Sequence, residues 1–293
     1  MFRNVIVGVD GRSGGRDAVA LACRLLDSQG QLSLVHVHLE TTTAVVHEFD
    51  SSAQDEARQL LERERDKAGG VAELASIGAA SVAAGLRRYA EENAGDLLIV
   101  GTCHRGVVGR VLAGDDTRDS LQCAPCAVAI PPRGYAESPV PIEVIGVGYD
   151  ASAESQAALS EARELAGRGD IEIRVLIIAA TVRFNGSKLA TLNSAVGTDS
   201  RLIEMLRQLS EFDHVIARAA YGLPVEELGS FGEEVDLLLL GSRRGGPEGR
   251  LVLDRTSKHL TRSAKCPLLI PYLTAIDPES GGWPTSSPAP REF

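Results

Sequence analysis

The sequence predicts an α/β protein made of two doubly wound domains, each with a five-stranded parallel sheet. Three observations predict it. The chain repeats itself at a constant offset of 140 residues: Val5-Ile6-Val7-Gly8-Val9-Asp10 returns as Ile145-Gly146-Val147-Gly148-Tyr149-Asp150. Asp96-Leu97-Leu98-Ile99-Val100-Gly101 returns as Asp236-Leu237-Leu238-Leu239-Leu240-Gly241, and Cys126 and Pro131 return as Cys266 and Pro271. Within each copy, short apolar runs alternate with segments of helical period, the pattern of a buried parallel sheet covered on both faces by helices. The period far exceeds the roughly 20–50 residues of solenoid repeats, and a unit of this size buries a core of its own.

The elements follow in order. Residues 3–9 form a short run rich in Val and Ile, read as a buried strand. Residues 15–28 place Ala18, Leu21, Ala22 and Leu25 at helical spacing. A second strand follows at 31–39 and a helix rich in Ala, Leu, Glu and Arg at 50–68. A third strand is expected at 71–77. The next helix covers 81–93, with Ser81 as its N-cap. Residues 96–101 are the fourth and most apolar strand of this copy. A glycine-rich loop covers 102–114, then a helix from about 115 to 123 leads into a fifth strand at 126–130. The second copy is expected to place its strands near 142–148, 171–179, 215–220, 235–241 and 267–271. Domain boundaries are expected at 1–135 and 140–274, joined by a linker at 133–141 that contains Gly134, Pro139 and Pro141. Residues 275–293, with Pro278, Pro284, Pro288 and Pro290, are expected to be disordered.

Composition narrows the function. The hydrophobic fraction is 44% and the charged fraction 24%, as in an ordinary soluble domain. A net charge of −10 disfavours non-specific binding to nucleic acid or to an anionic membrane. No run reaches the roughly 18 apolar residues of a membrane-spanning helix. The first residues carry none of the regions of a signal peptide. Five cysteines, an odd number scattered along the chain, fit a reducing cytoplasm better than a disulfide framework.

In open sheets of this kind, ligands bind outside the carboxyl ends of the strands, where the strand order reverses. Asp10 and Asp150 end the first strands. Gly101 and Gly241 end the fourth strands and open long loops. Four features therefore face two crevices if the first and fourth strands flank the reversal. The loop Gly101-Thr102-Cys103-His104-Arg105-Gly106-Val107-Val108-Gly109-Arg110-Val111-Leu112-Ala113-Gly114 resembles that of the universal stress protein family. That family carries Gly, two residues, Gly, nine residues, Gly and Ser or Thr after its fourth strand. The strand-Asp start, the Ala124-Pro125-Cys126 lead-in to the fifth strand and the tandem layout are similar to actinobacterial members, and the resemblance covers roughly residues 1–273.

The resemblance implies a Rossmann-like fold of the adenine nucleotide alpha hydrolase type, with strand order 3-2-1-4-5. It implies that the fifth strands, Ala127-Val128-Ala129-Ile130 and Leu268-Leu269-Ile270, pair as an intramolecular pseudo-dimer, and it leaves room for a homo-oligomer. It also implies that loop amides and hydroxyls hold the phosphates of ATP at a helix N-terminus, which the helix dipole favours. Asp10 and Asp150 occupy the position that contacts adenosine, and Val37 lies where strand two meets the adenine. Gly8, Val100 and Leu240, at strand ends, and Cys103, on the loop, complete the candidate set.

Both copies depart from the motif. In the first, Gly101 and Gly114 match, but His104 replaces the second glycine. Asp115 takes the hydroxyl position, with Asp116 beside it and Thr117 after it. A side chain at His104 narrows the backbone approach, and two carboxylates fill an anion site with the protein's own charge. In the second copy Gly241 matches, Arg244 and Asp254 replace glycines, and Arg255 replaces the hydroxyl residue. Arg243, Arg244, Arg250 and Arg255 make that loop the more cationic one, and Thr256 and Ser257 are available as helix caps. Two readings stand open: an adenine-nucleotide sensor, with magnesium screening the acidic loop, or an interaction module that binds no nucleotide.

A third reading is a hydrolase. Gly11-Arg12-Ser13-Gly14-Gly15 matches the nucleophile-elbow pattern. An elbow normally follows several strands, however, and only one precedes Ser13. A small-residue turn opening the first helix explains the segment better, and the chain is not read as an enzyme. Cys123-Ala124-Pro125-Cys126 has dithiol spacing but leads into a strand rather than a helix, so a core role suits Cys126. His36 and His38 share one strand face and are expected at its partly buried rim. None of the six histidines shows metal-ligand spacing.

Overall fold

The computed structural model describes residues 1–39, 50–102, 123–167, 171–180, 192–244 and 251–272. In the first half β1 (Phe2–Gly8), α1 (Ser13–Leu25), β2 (Leu26–Leu39), α2 (Asp50–Lys67), β3 (Glu73–Ala79), α3 (Val82–Glu92), β4 (Leu97–Val100) and β5 (Ala127–Ile130) follow in order. The second half contains β6 (Val144–Tyr149), α4 (Ala153–Ala166), β7 (Glu172–Ala180), α5 (Leu192–Leu209), β8 (Val215–Gly222), α6 (Pro224–Phe231) and β9 (Leu237–Leu239). A two-stranded ribbon of β10 (Arg243–Arg244) and β11 (Leu251–Val252) comes next, then α7 (Arg255–Ser263) and β12 (Leu268–Ile270). The helix expected near 115–123 falls almost wholly outside the described residues, as does the tail.

The main sheet has ten strands in the order β3-β2-β1-β4-β5-β12-β9-β6-β7-β8. Each half has the expected order 3-2-1-4-5, and the two halves run in opposite directions. Among the described residues, every pairing of the main sheet within a half is parallel. The join is antiparallel: Leu268 faces Ile130, Leu269 faces Ala129 and Ile270 faces Val128. The expected pairing of fifth strands is therefore present, and it removes two exposed strand edges. Residues 97–100 and 237–239 are equivalent central strands.

Apolar periodicity explains the layers. Ala18, Leu21, Ala22 and Leu25 of α1 are all buried, as their spacing predicts. One face of the whole sheet carries a single cluster that runs from Val5, Val7 and Leu21 through Ala129 and Leu269 to Val147, Ile173 and Leu202. The other face carries one cluster per half. Ser81 caps α3, accepting from the Ala84 amide at 3.1 Å.

Several boundaries move, each for a local reason. Helix α1 ends at Leu25 rather than 28, because Leu26 pairs with Phe2 and starts β2. Strand β3 lies two residues later than expected, after Gly69 and Gly70 turn the chain at positive φ. The linker is docked rather than free. Tyr135–Glu137 form a 3-10 turn, and Tyr135 is buried in the shared cluster. The β10–β11 ribbon, antiparallel, replaces part of what reads as loop. Leu251 and Leu253 alternate with Val252 and are 2% and 1% exposed. They belong to the cluster of Leu86, Leu98, Cys126 and Val128 of the first half, which Ile270 of their own half also joins. Burial of two leucines contributes about 2 kcal/mol each. The Cys123 amide donates to the Leu251 carbonyl at 2.9 Å, so the loop after β9 is stitched across the join.

Candidate functional site

The strand order reverses between β1 and β4 in the first half, and between β6 and β9 in the second. Gly8 lies opposite Val100 and Val147 opposite Leu239, so the strand ends align at each crevice. Aspartates 96 and 236 fix this alignment from the far end. Asp96 accepts the amides of Arg3 and Asn4 at 2.7 and 2.9 Å, and Asp236 accepts those of Glu143 and Val144 at 2.9 and 2.8 Å. Sequence reasoning registered both residues only as repeat markers. Their recurrence before each fourth strand was the available signal.

Several candidates have a packing role that is visible in the structure. A Cβ on Gly8 would come within 2.9 Å of the Leu86 side chain, and one on Gly148 within 2.9 Å of Leu240. Gly101 abuts the backbone of Gly14 so closely that any Cβ would collide with the Gly14 carbonyl. Gly241 meets Glu154, the position equivalent to Gly14, at 2.7 Å from its would-be Cβ. These glycines let the fourth strand meet the first helix of each half. Val100 and Leu240 are buried in the cores. Val37 is half-buried on β2, beside Gly85 and opposite Ile77.

The two aspartates at the strand ends make the same local turn. The Arg12 amide donates to Asp10 Oδ1 and the Ser152 amide to Asp150 Oδ1, each at 3.0 Å. Each is thus an Asx-type turn residue. Their surroundings then differ. The Asp10 side chain is 40% exposed, and its Oδ2 lies 3.8 Å from the Arg12 guanidinium. Asp150 Oδ1 also accepts the Ser152 hydroxyl, and Ser152 in turn caps α4 by accepting the Ser155 amide.

The next positions diverge further. Ser242 Oγ, buried, donates to the Pro271 carbonyl at 3.3 Å. The equivalent Thr102 Oγ1 is buried with no hydrogen-bond partner among the described residues. At the second crevice the cap of α7 is Asp254, not Thr256 or Ser257. Its carboxylate accepts the Ser257 amide at 2.6 Å. An aspartate at the N-cap satisfies both the orphan amides and the helix dipole, which leaves Ser257 buried at the third helical position and Thr256 half-buried. Arg255 is exposed in the first turn, and Arg243 and Arg244 lie on β10. Cys103, His104, Gly114, Asp115, Asp116 and Thr117 lie outside the described residues.

The remaining motifs have structural explanations. Ser13 is exposed in the first turn of α1, with Arg12 at the cap position. Cys126 and Cys266 are buried, and burial pushes both thiols up to about 12, so they stay protonated at neutral pH and act as small apolar side chains. His36 is half-buried and its Nδ1 lies 2.9 Å from the Val9 carbonyl; His38 is half-buried as well. Among the described residues no group of three or more His, Cys, Asp and Glu could hold a metal ion, and no helix is long and apolar enough to cross a membrane.

Sequence reasoning passed over Asp17, which is 2% exposed. Its carboxylate accepts the amides of Gly134 and Ala136 at 2.9 and 2.8 Å, tying α1 to the linker. The only signal in the sequence is an acidic residue on the buried stripe of a helix.

A family model described as universal stress protein family matches residues 1–132 and again 141–270. A universal stress protein of Mycobacterium tuberculosis (strain ATCC 25618 / H37Rv) is 24% identical over 200 residues, spanning 65% of this chain and 68% of that protein. Among solved structures, a universal stress protein from Archaeoglobus fulgidus superposes with a TM-score of 0.64 at 15% identity, covering 91% of this chain and 97% of that one. A functionally unknown protein from Pseudomonas aeruginosa PAO1 superposes with a TM-score of 0.58 at 16% identity, covering 92% of each chain.

Proposed function

The chain belongs to the universal stress protein family, and on that premise we propose that it is a cytoplasmic adenine-nucleotide sensor, not an efficient enzyme, that binds ATP in its first crevice. One asymmetry carries the reading. The first crevice has Asp10, held by the neighbouring Arg12, and a buried hydroxyl at Thr102 with no hydrogen-bond partner among the described residues. An unsatisfied buried hydroxyl costs on the order of 1–3 kcal/mol, which a ligand oxygen can return. In the second crevice the equivalent hydroxyl, Ser242, is already engaged by Pro271, and Asp150 accepts the Ser152 hydroxyl as well as its amide. Asp10 would accept from the ribose, Val37 would line the adenine and Thr102 would donate toward phosphate. Asp115 and Asp116 follow on the loop in sequence, so phosphate would arrive with magnesium to screen them.

A second reading has its own observation. Leu251 and Leu253 of the second loop are built into the core of the first half, and Asp254 fills the adjoining helix end. That loop serves assembly, as expected of an interaction module on the same scaffold.

Calorimetric titration separates the readings. ATP with magnesium should bind the intact chain with roughly micromolar affinity, about 8 kcal/mol. Asp10→Ala should weaken binding about tenfold or more, and Asp150→Ala should leave it unchanged. If only Asp150→Ala abolishes binding, the second crevice is the site. Absence of heat with ATP and adenosine, with and without magnesium, would leave the interaction module in place of the sensor.

A further inference from the structure

The outer face of α1 forms the floor of a groove of about 790 Å³, walled by α2 on one side and the linker on the other. Its volume is that of a small-molecule site. Arg16, Arg24 and Arg133 line it, in a protein whose net charge is −10. Among the described residues, neither Arg16 nor Arg133 makes an ion pair or a side-chain hydrogen bond, and Arg24 donates only to the Pro139 carbonyl. The carboxylates on the groove are disposed differently. Both oxygens of Asp17 are occupied by linker amides, and Glu137 is exposed at the rim.

Glu64 lies on the same groove. It occupies the inward stripe of α2 with Ala57 and Leu61, and its side chain is 5% exposed. Lys67 Nζ holds Oε1 at 2.9 Å, while Oε2 is buried with no hydrogen-bond partner among the described residues. A charged oxygen in that state needs a donor. Guanidiniums without carboxylate partners favour an anion, and in fork geometry a phosphate or carboxylate. The same groove therefore offers cations to an acid and one acceptor to a donor.

We propose that this groove is a second ligand site, distinct from the crevices, for a small anionic metabolite that also carries an ammonium or hydroxyl donor. The acid sits between Arg16, Arg24 and Arg133, and the donor reaches Glu64. Ligand at this place would bridge α1, α2 and the linker, the segment that joins the halves.

Amide-resolved NMR titration of the full chain tests the assignment with three probes: O-phosphoserine, inorganic phosphate and serine. O-phosphoserine has both functions, phosphate lacks the donor and serine lacks the dianion. O-phosphoserine should shift amides of residues 16–24 and 133–137 and bind about tenfold more tightly than either other probe. Arg133→Ala, a change at an exposed residue, should weaken it about tenfold. Glu64→Gln should reduce O-phosphoserine to the affinity of phosphate. Excess ATP should not displace it, which keeps this result separate from that of the nucleotide crevice. Equal affinity for O-phosphoserine and phosphate, shifts outside these segments, or full binding by Arg133→Ala would each overturn the assignment, as would no shift with any probe.

Discussion

Gly101→Ala is expected to destabilise the protein by more than about 3 kcal/mol, with or without nucleotide. The resemblance reads Gly101 as the first glycine of a phosphate loop, whose replacement should cost affinity. The structure gives it an earlier task. The strand end and the first turn of α1 touch backbone to backbone at Gly101 and Gly14, and neither side is a flexible side chain that could yield. A methyl group there must push β4 and α1 apart, across a core of fully buried residues such as Val5, Leu21 and Ile99. Gly229→Ala supplies the control. Gly229 lies in α6 with nothing within 4 Å of its would-be Cβ, so alanine there should stabilise by about 0.5–1 kcal/mol. Urea denaturation reads both. A Gly101→Ala protein as stable as the parent would mean that the close approach relaxes without cost.

Asp17→Ala is expected to cost about 3 kcal/mol. Two linker amides lose a charged acceptor at once, in a place shielded from water. The Gly134 backbone is left-handed, at φ 80°, so the turn it begins has few other ways to satisfy those amides. Asp17→Asn keeps one carbonyl acceptor and should cost roughly half as much. The measurement is again the urea midpoint. A loss under about 0.5 kcal/mol for Asp17→Ala would show that burial of Tyr135 alone docks the linker.

The fold was legible because its signals are local and repeated. Apolar runs at one spacing mark the strands, Ala18-Leu21-Ala22-Leu25 mark α1, and the offset of 140 residues ties the two sets together. The crevices were legible for the same reason, since Asp10 and Asp150 stand at equivalent strand ends. What escaped depends on contacts between distant segments. Nothing near Leu251 and Leu253 says that they pack beside Cys126, more than a hundred residues away. The buried state of Asp17 depends on amides at 134 and 136, and that of Glu64 on how α2 is laid over the sheet. The Asp254 cap is a different case. It sits directly before α7, the ordinary place for such a cap, but the family pattern drew attention to Thr256 and Ser257 instead.

The central claim is a single adenine-nucleotide site built on Asp10. Native mass spectrometry of the full chain with excess ATP and magnesium tests it most directly. The account predicts one nucleotide adduct per chain, formed at about tenfold higher ATP in Asp10→Ala and at unchanged ATP in Asp150→Ala. A chain that stays free of nucleotide throughout, or that carries its adduct unchanged in Asp10→Ala, would contradict it.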